Sequence, residues 1–212
     1  MNIRTCILIQ IGILIASLAI TAIYWQRLPE IVPTHWNLNG QVDQTGSKSQ
    51  LLLLGPGLVL MILVMTLVLP KLSPKNFEIE RFGGTFSYAM VLTSALMLFI
   101  GIIVLIMAEG SKLRFDRWMM SGLFLFFALL GNVLGKVRRN FFMGIRTPWT
   151  LASERVWDAT HRSAARIWFV GGLIGTAACL RGLPMAGSIG FLLILSFWPV
   201  VQSYFLYQKL ER

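Results

Sequence analysis

Six long apolar segments dominate this chain and leave little choice about its fold. They cover residues 7–25, 51–69, 82–108, 118–135, 167–180 and 182–208. A helix needs roughly 20 apolar residues to cross ~30 Å of hydrocarbon. The fifth segment is shorter, but Arg166 and Arg181 at its ends can reach towards the headgroups. Only 13% of the residues are charged, against about a quarter in soluble domains. We therefore predict an all-α integral membrane protein with six transmembrane helices.

The order of these segments divides the chain into three units. We expect an N-terminal two-helix unit at residues 1–70, a third span with its flanking loops at 71–117, and a C-terminal unit at 118–212. The first apolar segment could instead be a signal peptide. However, no small-x-small cleavage site follows it and five further spans do, so we predict that it is retained as a helix.

The distribution of Lys and Arg predicts the orientation of the helices. With the N-terminus inside, thirteen of the nineteen Lys and Arg residues lie on the inner side and six on the outer side. Positively charged loops favour the cytoplasmic side, so we expect both termini in the cytoplasm. This bias and the attraction of anionic lipids account for most of the net charge of +10. Direct binding to nucleic acid is therefore not expected.

The loop after the first span, residues 27–50, is expected on the outer side and is rich in turn signals. Its two prolines prevent a continuing helix, and an Asn-Gly pair favours a turn. We predict an ordered loop rather than a flexible tether. Its tryptophan, Trp36, suits the headgroup layer of the membrane.

His35 and Asp43 are the candidate functional side chains of this outer loop, beside Trp36. His35 can change charge near neutral pH. It could bind a ligand or a metal, or it could fix the loop by hydrogen bonds, which is the more common role of a lone histidine. Asp43 could contact a ligand, but capping of the turn is the simpler interpretation. One His and one Asp make a poor metal site, so we predict no metal and no cofactor.

A polar, basic and aromatic stretch at residues 136–168, which we call the island, interrupts the apolar pattern. It holds seven of the nineteen Lys and Arg residues, three of the seven Trp and one of the two His. The orientation above places it on the cytoplasmic side. Since the spans themselves are nearly featureless, we expect the function of the chain to reside in this island.

The second half of the island predicts a helix that continues into the fifth span. Thr147 before Pro148 fits an N-cap followed by proline at the first helical position, and Thr150 is an alternative cap. The helix would be about 30 residues long and would begin at the cytoplasmic interface. On it, Trp157 and His161 would share a face.

Two residue spacings in the island and the fifth span are typical of helices. Asp158 and Arg162 have the i, i+4 spacing of a stabilising ion pair. Gly171 and Gly175 form a GxxxG pair, which indicates close helix packing and is only a weak signal for dimerisation. The oligomeric state is therefore left open.

The span interiors contain few groups that could do chemistry. No Asp, Glu, Lys or Arg lies in the middle of any predicted span, which argues against a proton-coupled pump or an intramembrane acid-base enzyme. Gln10 and a few other polar residues are best interpreted as interhelical hydrogen-bonding groups. There is no Walker loop, no HExxH and no nucleophile elbow.

The string NFFMGIRTPWTLASERVWDATHR, residues 140–162, resembles the signature of the SdpI immunity-protein family. The matching positions are Asn140, Gly144, Ile145, Arg146, Thr147, Pro148, Trp149, Thr150, Leu151, Ser153, Trp157, Thr160, His161 and Arg162. The outer loop resembles a companion domain of unknown function found in the same proteins. That second match runs through Pro29, Pro33, His35, Trp36, Gly40, Asp43 and Lys48. One departure is Arg139, at a position where such proteins commonly carry proline.

The resemblance implies a multi-pass protein of the bacterial cytoplasmic membrane that gives immunity to a secreted toxic peptide and draws a cytoplasmic repressor to the membrane. The alternatives are a small transporter or flippase for peptide or lipid, and a membrane-interface enzyme using His161 and Arg146. We favour the non-enzymatic immunity protein, with lipids, a toxic peptide and a repressor as partners. The predicted binding residues are Asn140, Gly144, Arg146, Thr147, Pro148, Trp149, Thr150, Trp157, His161 and Arg162 in the island, and His35, Trp36 and Asp43 outside.

Overall fold

Six long helices make up most of the protein in the computed structural model, which describes residues 1–212. They are Ile3–Trp25, Gln50–Leu72, Ile79–Ala108, Phe115–Leu134, Glu154–Leu180 and Met185–Glu211. We call these helices the first to the sixth span. Each is long and apolar enough to cross a membrane, so the prediction of six membrane-spanning helices is confirmed.

Two of the spans depart locally from regular α-helix. The second contains a wider π-helical turn at Leu53–Gly57, which includes Pro56, and ends in a 3-10 turn at Leu69–Leu72. The third begins with a 3-10 turn at Ile79–Phe82. A π-turn accommodates the missing backbone N–H of a proline inside a helix, which the uniform apolar pattern does not reveal.

The even number of spans brings the island and both chain termini to the same end of the helical bundle. Six passes place residues 1–2, the loop 73–78, the island turn and residue 212 at one end, which we call the island face. The loops after the first, third and fifth spans lie at the opposite end, the hairpin face. Many large apolar side chains remain exposed along the spans, among them Ile15, Leu53 and Ile194. Such a surface suits hydrocarbon rather than water.

The outer loop forms a β-hairpin rather than turns alone. Strand β1, Ile31–Trp36, pairs antiparallel with strand β2, Val42–Ser47. The sequence conceals these strands because β1 contains Pro33 and β2 is polar, so neither has the alternation typical of a half-buried strand. A two-stranded sheet has only edge strands, and such strands tolerate proline. The fold is therefore helical with one small hairpin.

Polar side chains join the first and third spans inside the bundle. The Nε2 atom of Gln10 donates to Ser94 Oγ at 2.9 Å and to the Met90 carbonyl oxygen at 3.3 Å, and Gln10 is fully buried. The Cys6 thiol donates to the Ser87 carbonyl oxygen at 3.4 Å. These contacts confirm the interpretation of Gln10 as an interhelical hydrogen-bonding group.

Glycines allow the fourth and fifth spans to pack with their backbones in contact. A Cβ atom at Gly131 would lie 2.6 Å from the Phe169 nitrogen, and one at Gly172 would lie 2.5 Å from the Ala128 nitrogen. Gly171 faces Leu195 of the sixth span instead. The glycines of the fifth span therefore serve contacts within the chain, with both neighbouring helices.

The predicted continuous helix from Thr147 into the fifth span is wrong at one position. A short helix, Pro148–Ala152, ends at Ser153, whose φ and ψ of −132° and 127° are extended. The fifth span then begins at Glu154, with the Ser153 hydroxyl accepting from the Val156 N–H at 3.3 Å. Ser153 also donates to Glu211 at 2.7 Å. The break occurs because serine is a weak helix former inside a helix, whereas its hydroxyl can accept a hydrogen bond from a free N–H at the start of the next helix.

Candidate functional site

The island turn is organised by the buried side chain of Asn140. Its Nδ2 donates to the carbonyl oxygens of Arg138 and Met143 at 2.8 and 2.9 Å. Its Oδ1 accepts from the N–H groups of Phe142 and Met143 at 2.8 and 2.7 Å. An asparagine side chain has two donors and two acceptor positions, and all four are used here. Asn140 therefore closes the loop after the fourth span on itself.

His161 joins this turn to the fifth span. Its ring stacks on the Trp157 ring, with centroids 4.0 Å apart, as the predicted shared face requires. The N–H of Ile145 donates to His161 Nε2 at 3.0 Å, and His161 Nδ1 lies 2.8 Å from the Trp157 carbonyl oxygen. Nε2 must then be an acceptor and Nδ1 a donor, which defines a neutral imidazole with its proton on Nδ1.

Gly144 makes the close approach between turn and helix possible. Its φ is +114°, a value that L side chains rarely adopt, and an added Cβ would overlap the His161 ring. The neighbouring indole Nε1 of Trp157 donates to the Val137 carbonyl oxygen at 2.8 Å. Trp157 and His161 are both fully buried. The turn is thus fastened to the fifth span by two side-chain-to-backbone bonds and one glycine contact.

The predicted N-cap at Thr147 is confirmed, and Thr150 completes it. The Thr150 N–H donates to Thr147 Oγ1 at 3.2 Å, and the Thr147 N–H donates to Thr150 Oγ1 at 2.9 Å. This reciprocal pair is a capping box made with threonine. Thr147 Oγ1 also lies 3.0 Å from Ser203 Oγ on the sixth span, and the Trp149 ring lies edge-on to Tyr204 with centroids 5.1 Å apart. The short helix is therefore docked on the sixth span.

The remaining predicted residues of the island form an accessible edge. Arg146, Pro148 and Arg162 are exposed, and Trp149 is half-buried. Arg146 donates to the Phe141 carbonyl oxygen, which holds one of its nitrogens near the turn and leaves others free. Guanidinium and indole groups are common anchors of protein interfaces. A partner can therefore contact this edge of the island, but not the buried side chains behind it.

The loop 73–78 covers one side of the island turn. The Phe77 ring lies 4.4 Å from the Phe141 ring, and the Arg139 guanidinium lies 5.2 Å from the Phe77 ring centre. In the same loop the backbone N–H of Asn76 donates to Glu78 and holds the pKa of that carboxyl below its ordinary value. Glu78 stays charged at neutral pH, so the loop adds an anion beside a mostly basic edge.

The ion pair predicted between Asp158 and Arg162 is not formed. Asp158 instead lies 3.6 Å from Arg138, which follows the fourth span. A charge on a helix can pair with a neighbouring element as well as with the i+4 position, and the folded turn brings Arg138 into reach.

At the hairpin face, His35 and Asp43 contact each other. His35 Nδ1 lies 2.5 Å from Asp43 Oδ1, and both side chains are substantially exposed. Asp43 therefore binds the histidine and does not cap the turn, which corrects our interpretation. Asn37 caps it instead, because its Oδ1 accepts from the N–H groups of Asn39 and Gln41 at 2.9 and 3.0 Å.

Trp36 holds the hairpin to the helical bundle. Its ring stacks on Phe115 with centroids 3.9 Å apart, and only 8% of the residue is exposed. The ring is therefore covered by the bundle, because the hairpin folds back onto Phe115. Next to it, Arg114 donates twice to Asp116, at 3.0 and 2.7 Å. That contact raises the pKa of the Arg114 guanidinium above its ordinary value.

The predicted site residues therefore form two groups at opposite faces. The ten island residues lie together, and His35, Trp36 and Asp43 lie together on the hairpin. Sequence reasoning missed the partners of the island residues, which are Val137, Phe141, Ser203 and Tyr204. Only the aromatic character of Tyr204 gave any signal, because Val137 and Phe141 act through backbone carbonyl oxygens, which leave no mark in a sequence.

The fold and these two groups define a class of protein: a six-span helical membrane protein with a folded polar element at each face. Residues 136–203 match the SdpI/YfhL protein family, and residues 12–60 match a domain of unknown function, DUF1648. The chain is 26% identical over 167 residues to the Immunity protein SdpI of Bacillus subtilis (strain 168), covering 79% of this chain and 78% of that protein. The chain is thus similar to the SdpI/YfhL family over residues 136–203, as the motif of the island indicated. No solved structure matches it.

Proposed function

We propose that the protein is a membrane immunity protein that protects a bacterium from a secreted toxic peptide. The observation that carries this proposal is the similarity to an immunity protein across about four fifths of both chains. The family match at residues 12–60 includes the hairpin, and the match at residues 136–203 includes the island. The two elements with folded polar structure are therefore the two that the relatives share.

The hairpin is the proposed contact for the toxic peptide. It lies at the face opposite both termini, and the Lys and Arg distribution predicts that this face is outside. His35 and Asp43 are exposed there as a neighbouring pair, on a strand pair whose edges are free. Free strand edges and exposed polar side chains suit recognition of an extended peptide.

The edge of the island is the proposed contact for a cytoplasmic repressor. Arg146, Trp149 and Arg162 lie at the accessible edge, beside a turn whose own polar groups are satisfied internally. Binding to such an edge requires little ordering of the turn, and ordering is a main cost of association. The fifth span, which begins beside this edge and ends at the hairpin face, is the proposed connection between the two partners.

The two alternatives gain no support from the contacts of their key residues. The proposed enzyme would use His161 as a base, but both ring nitrogens of His161 lie against backbone groups and the ring is fully buried. A transporter would use polar groups along its spans. Gln10, which is fully buried in the first span, is already bonded to Ser94 and Met90.

The proposal is tested by survival of a sensitive bacterium that expresses this chain and is challenged with a membrane-active toxic peptide from a related system. We expect protection by the wild type at normal membrane levels. His35→Ala should weaken it, and a Leu38→Ala variant, exposed in the turn between the strands, serves as the matched control. Absence of protection by well-inserted wild-type protein would contradict the immunity function.

Recruitment of a repressor is tested separately. A small DNA-binding repressor from the related system, carrying a fluorescent label, is expected to move from the cytoplasm to the membrane when the toxic peptide is added. Protection without any such movement would retain the immunity function and contradict the signalling step.

A further inference from the structure

A polar cleft opens at the island face, away from the residues assigned above. It lies between the start of the third span and the end of the fourth, and its volume is about 630 Å³. Arg81, Lys136 and Arg138 line it together with a single carboxylate, Glu80. The lining therefore carries an excess of positive charge at the ends of the third and fourth spans.

The cations of this cleft are largely free to bind an anion. Arg81 and Lys136 form no ion pair, and Arg81 makes one hydrogen bond, to the Asn76 carbonyl oxygen at 3.2 Å. Arg138 has one carboxylate partner, Asp158, at 3.6 Å. A smaller adjoining cleft of about 410 Å³ is lined by Arg81, Arg138 and Glu154. Two cations thus face both clefts, and Lys136 faces the larger one alone.

A groove with mostly apolar walls adjoins the polar cleft at the same end of the bundle. Its volume is about 360 Å³, and Ile3, Pro70, Ile79 and Phe86 supply its apolar walls. The two cavities share Glu80, Gly83 and Gly84. Gly83 leaves open space, because an added Cβ there would meet no atom within 4 Å. A basic cleft that opens into an apolar groove suits an amphiphile with an anionic head.

We propose that this composite cavity binds an anionic phospholipid, with its phosphate between Arg81, Lys136 and Arg138 and an acyl chain in the groove. Arginine and lysine are the usual protein partners of phosphate, and basic pockets between transmembrane helices bind anionic headgroups. A free phosphate would use the cleft alone, whereas a phospholipid uses both parts. The groove therefore favours the lipid.

Binding is tested by titrating the purified full-length protein in detergent with phosphatidylglycerol and recording bound lipid by native mass spectrometry. The double variant Arg81→Gln/Lys136→Gln is expected to bind about 25-fold more weakly, since each cation near a membrane surface contributes about fivefold to anionic lipid binding. The matched control is Arg155→Gln/Lys209→Gln, which removes two exposed cations from the same face outside the cleft. This control should stay within about twofold of the wild type.

A second variant changes the shape of the cavity without changing its charge. Gly83 has helical φ and ψ of −49° and −36°, so Gly83→Leu should fold normally and place its side chain in the cavity. We expect it to weaken phosphatidylglycerol binding about tenfold or more. Thermal unfolding without added lipid, equal to that of the wild type, verifies that each variant is folded.

Three results would overturn the proposal. The first is equal binding of phosphatidylglycerol and zwitterionic phosphatidylcholine by the wild type. The second is an equal loss of binding in the cleft variant and in the control, because general surface charge would then be sufficient. The third is displacement of the lipid by millimolar glycerol 3-phosphate, which would identify a free phosphate ester as the occupant.

Discussion

The island and the hairpin use the same residue types for different purposes. Each contains one histidine, and each is attached to the helices through a buried tryptophan. In the island, His161 and Trp157 are fully buried and bind backbone groups of the turn. In the hairpin, His35 is exposed and binds only Asp43, while the buried Trp36 packs by its ring and its Nε1 has no partner.

This difference distinguishes side chains that support the fold from side chains that are exposed to a binding partner. The island is held by hydrogen bonds that only one arrangement satisfies, because a buried donor without a partner is costly. The hairpin is held by apolar packing on the bundle, and its polar pair remains available to a ligand. The presence of a histidine and a tryptophan in both the island and the hairpin is therefore not evidence that the two regions have the same role.

Removal of the central island ring tests the support role with the largest expected effect. Trp157→Ala deletes a fully buried indole together with its bond to the Val137 carbonyl oxygen. We expect a loss of about 3–5 kcal/mol in the free energy of unfolding, measured by thermal or denaturant unfolding in detergent. Trp118→Ala, at a residue that is 41% exposed, is the control. An equal effect of both changes would show that the island does not support the fold.

Replacement of each histidine by phenylalanine tests a smaller difference. His161→Phe keeps a ring against Trp157 but leaves the buried N–H of Ile145 without an acceptor. That should destabilise the protein by about 1–3 kcal/mol and speed hydrogen exchange at Ile145. His35→Phe removes an exposed side-chain contact with Asp43, which contributes less. A larger loss of stability from the hairpin variant would reverse our assignment of the two histidines.

Replacement of each tryptophan by phenylalanine gives the smallest expected difference in stability between the two regions. Trp157→Phe removes a hydrogen bond worth about 1 kcal/mol, beyond the change in packing. Trp36→Phe loses no hydrogen bond, because the Trp36 Nε1 has no partner, and phenylalanine can keep the stack on Phe115. We expect the unfolding temperature to fall more for Trp157→Phe. Equal shifts would mean that the bond to Val137 contributes nothing measurable.

The sequence predicted the spans, the cap at Thr147 and the shared face of Trp157 and His161. Each of these depends on residues within a few positions of one another, where helix geometry alone sets the contacts. The island was recognised as one folded element for the same reason, since its polar residues are contiguous.

The contacts that define the two sites could not be predicted in this way. His161 binds the N–H of Ile145, sixteen residues away, and Thr147 contacts Ser203 on another span. Such pairs depend on how the turn folds over the helices, and a backbone N–H is present at nearly every position. The hairpin was missed because its strands lack alternation, and the break at Ser153 because one serine does not interrupt a helical pattern.

The central claim is that the island has a buried support and an exposed binding edge. It is tested most directly by Arg146→Ala, with Arg155→Ala as the control for loss of an exposed arginine at the same face. Unfolding temperature, membrane level, recruitment of the labelled repressor and protection against the toxic peptide are measured on the same samples. We predict unchanged stability and insertion for both variants, with recruitment or protection lost only in Arg146→Ala. Normal recruitment together with full protection by a well-expressed Arg146→Ala protein would contradict the claim.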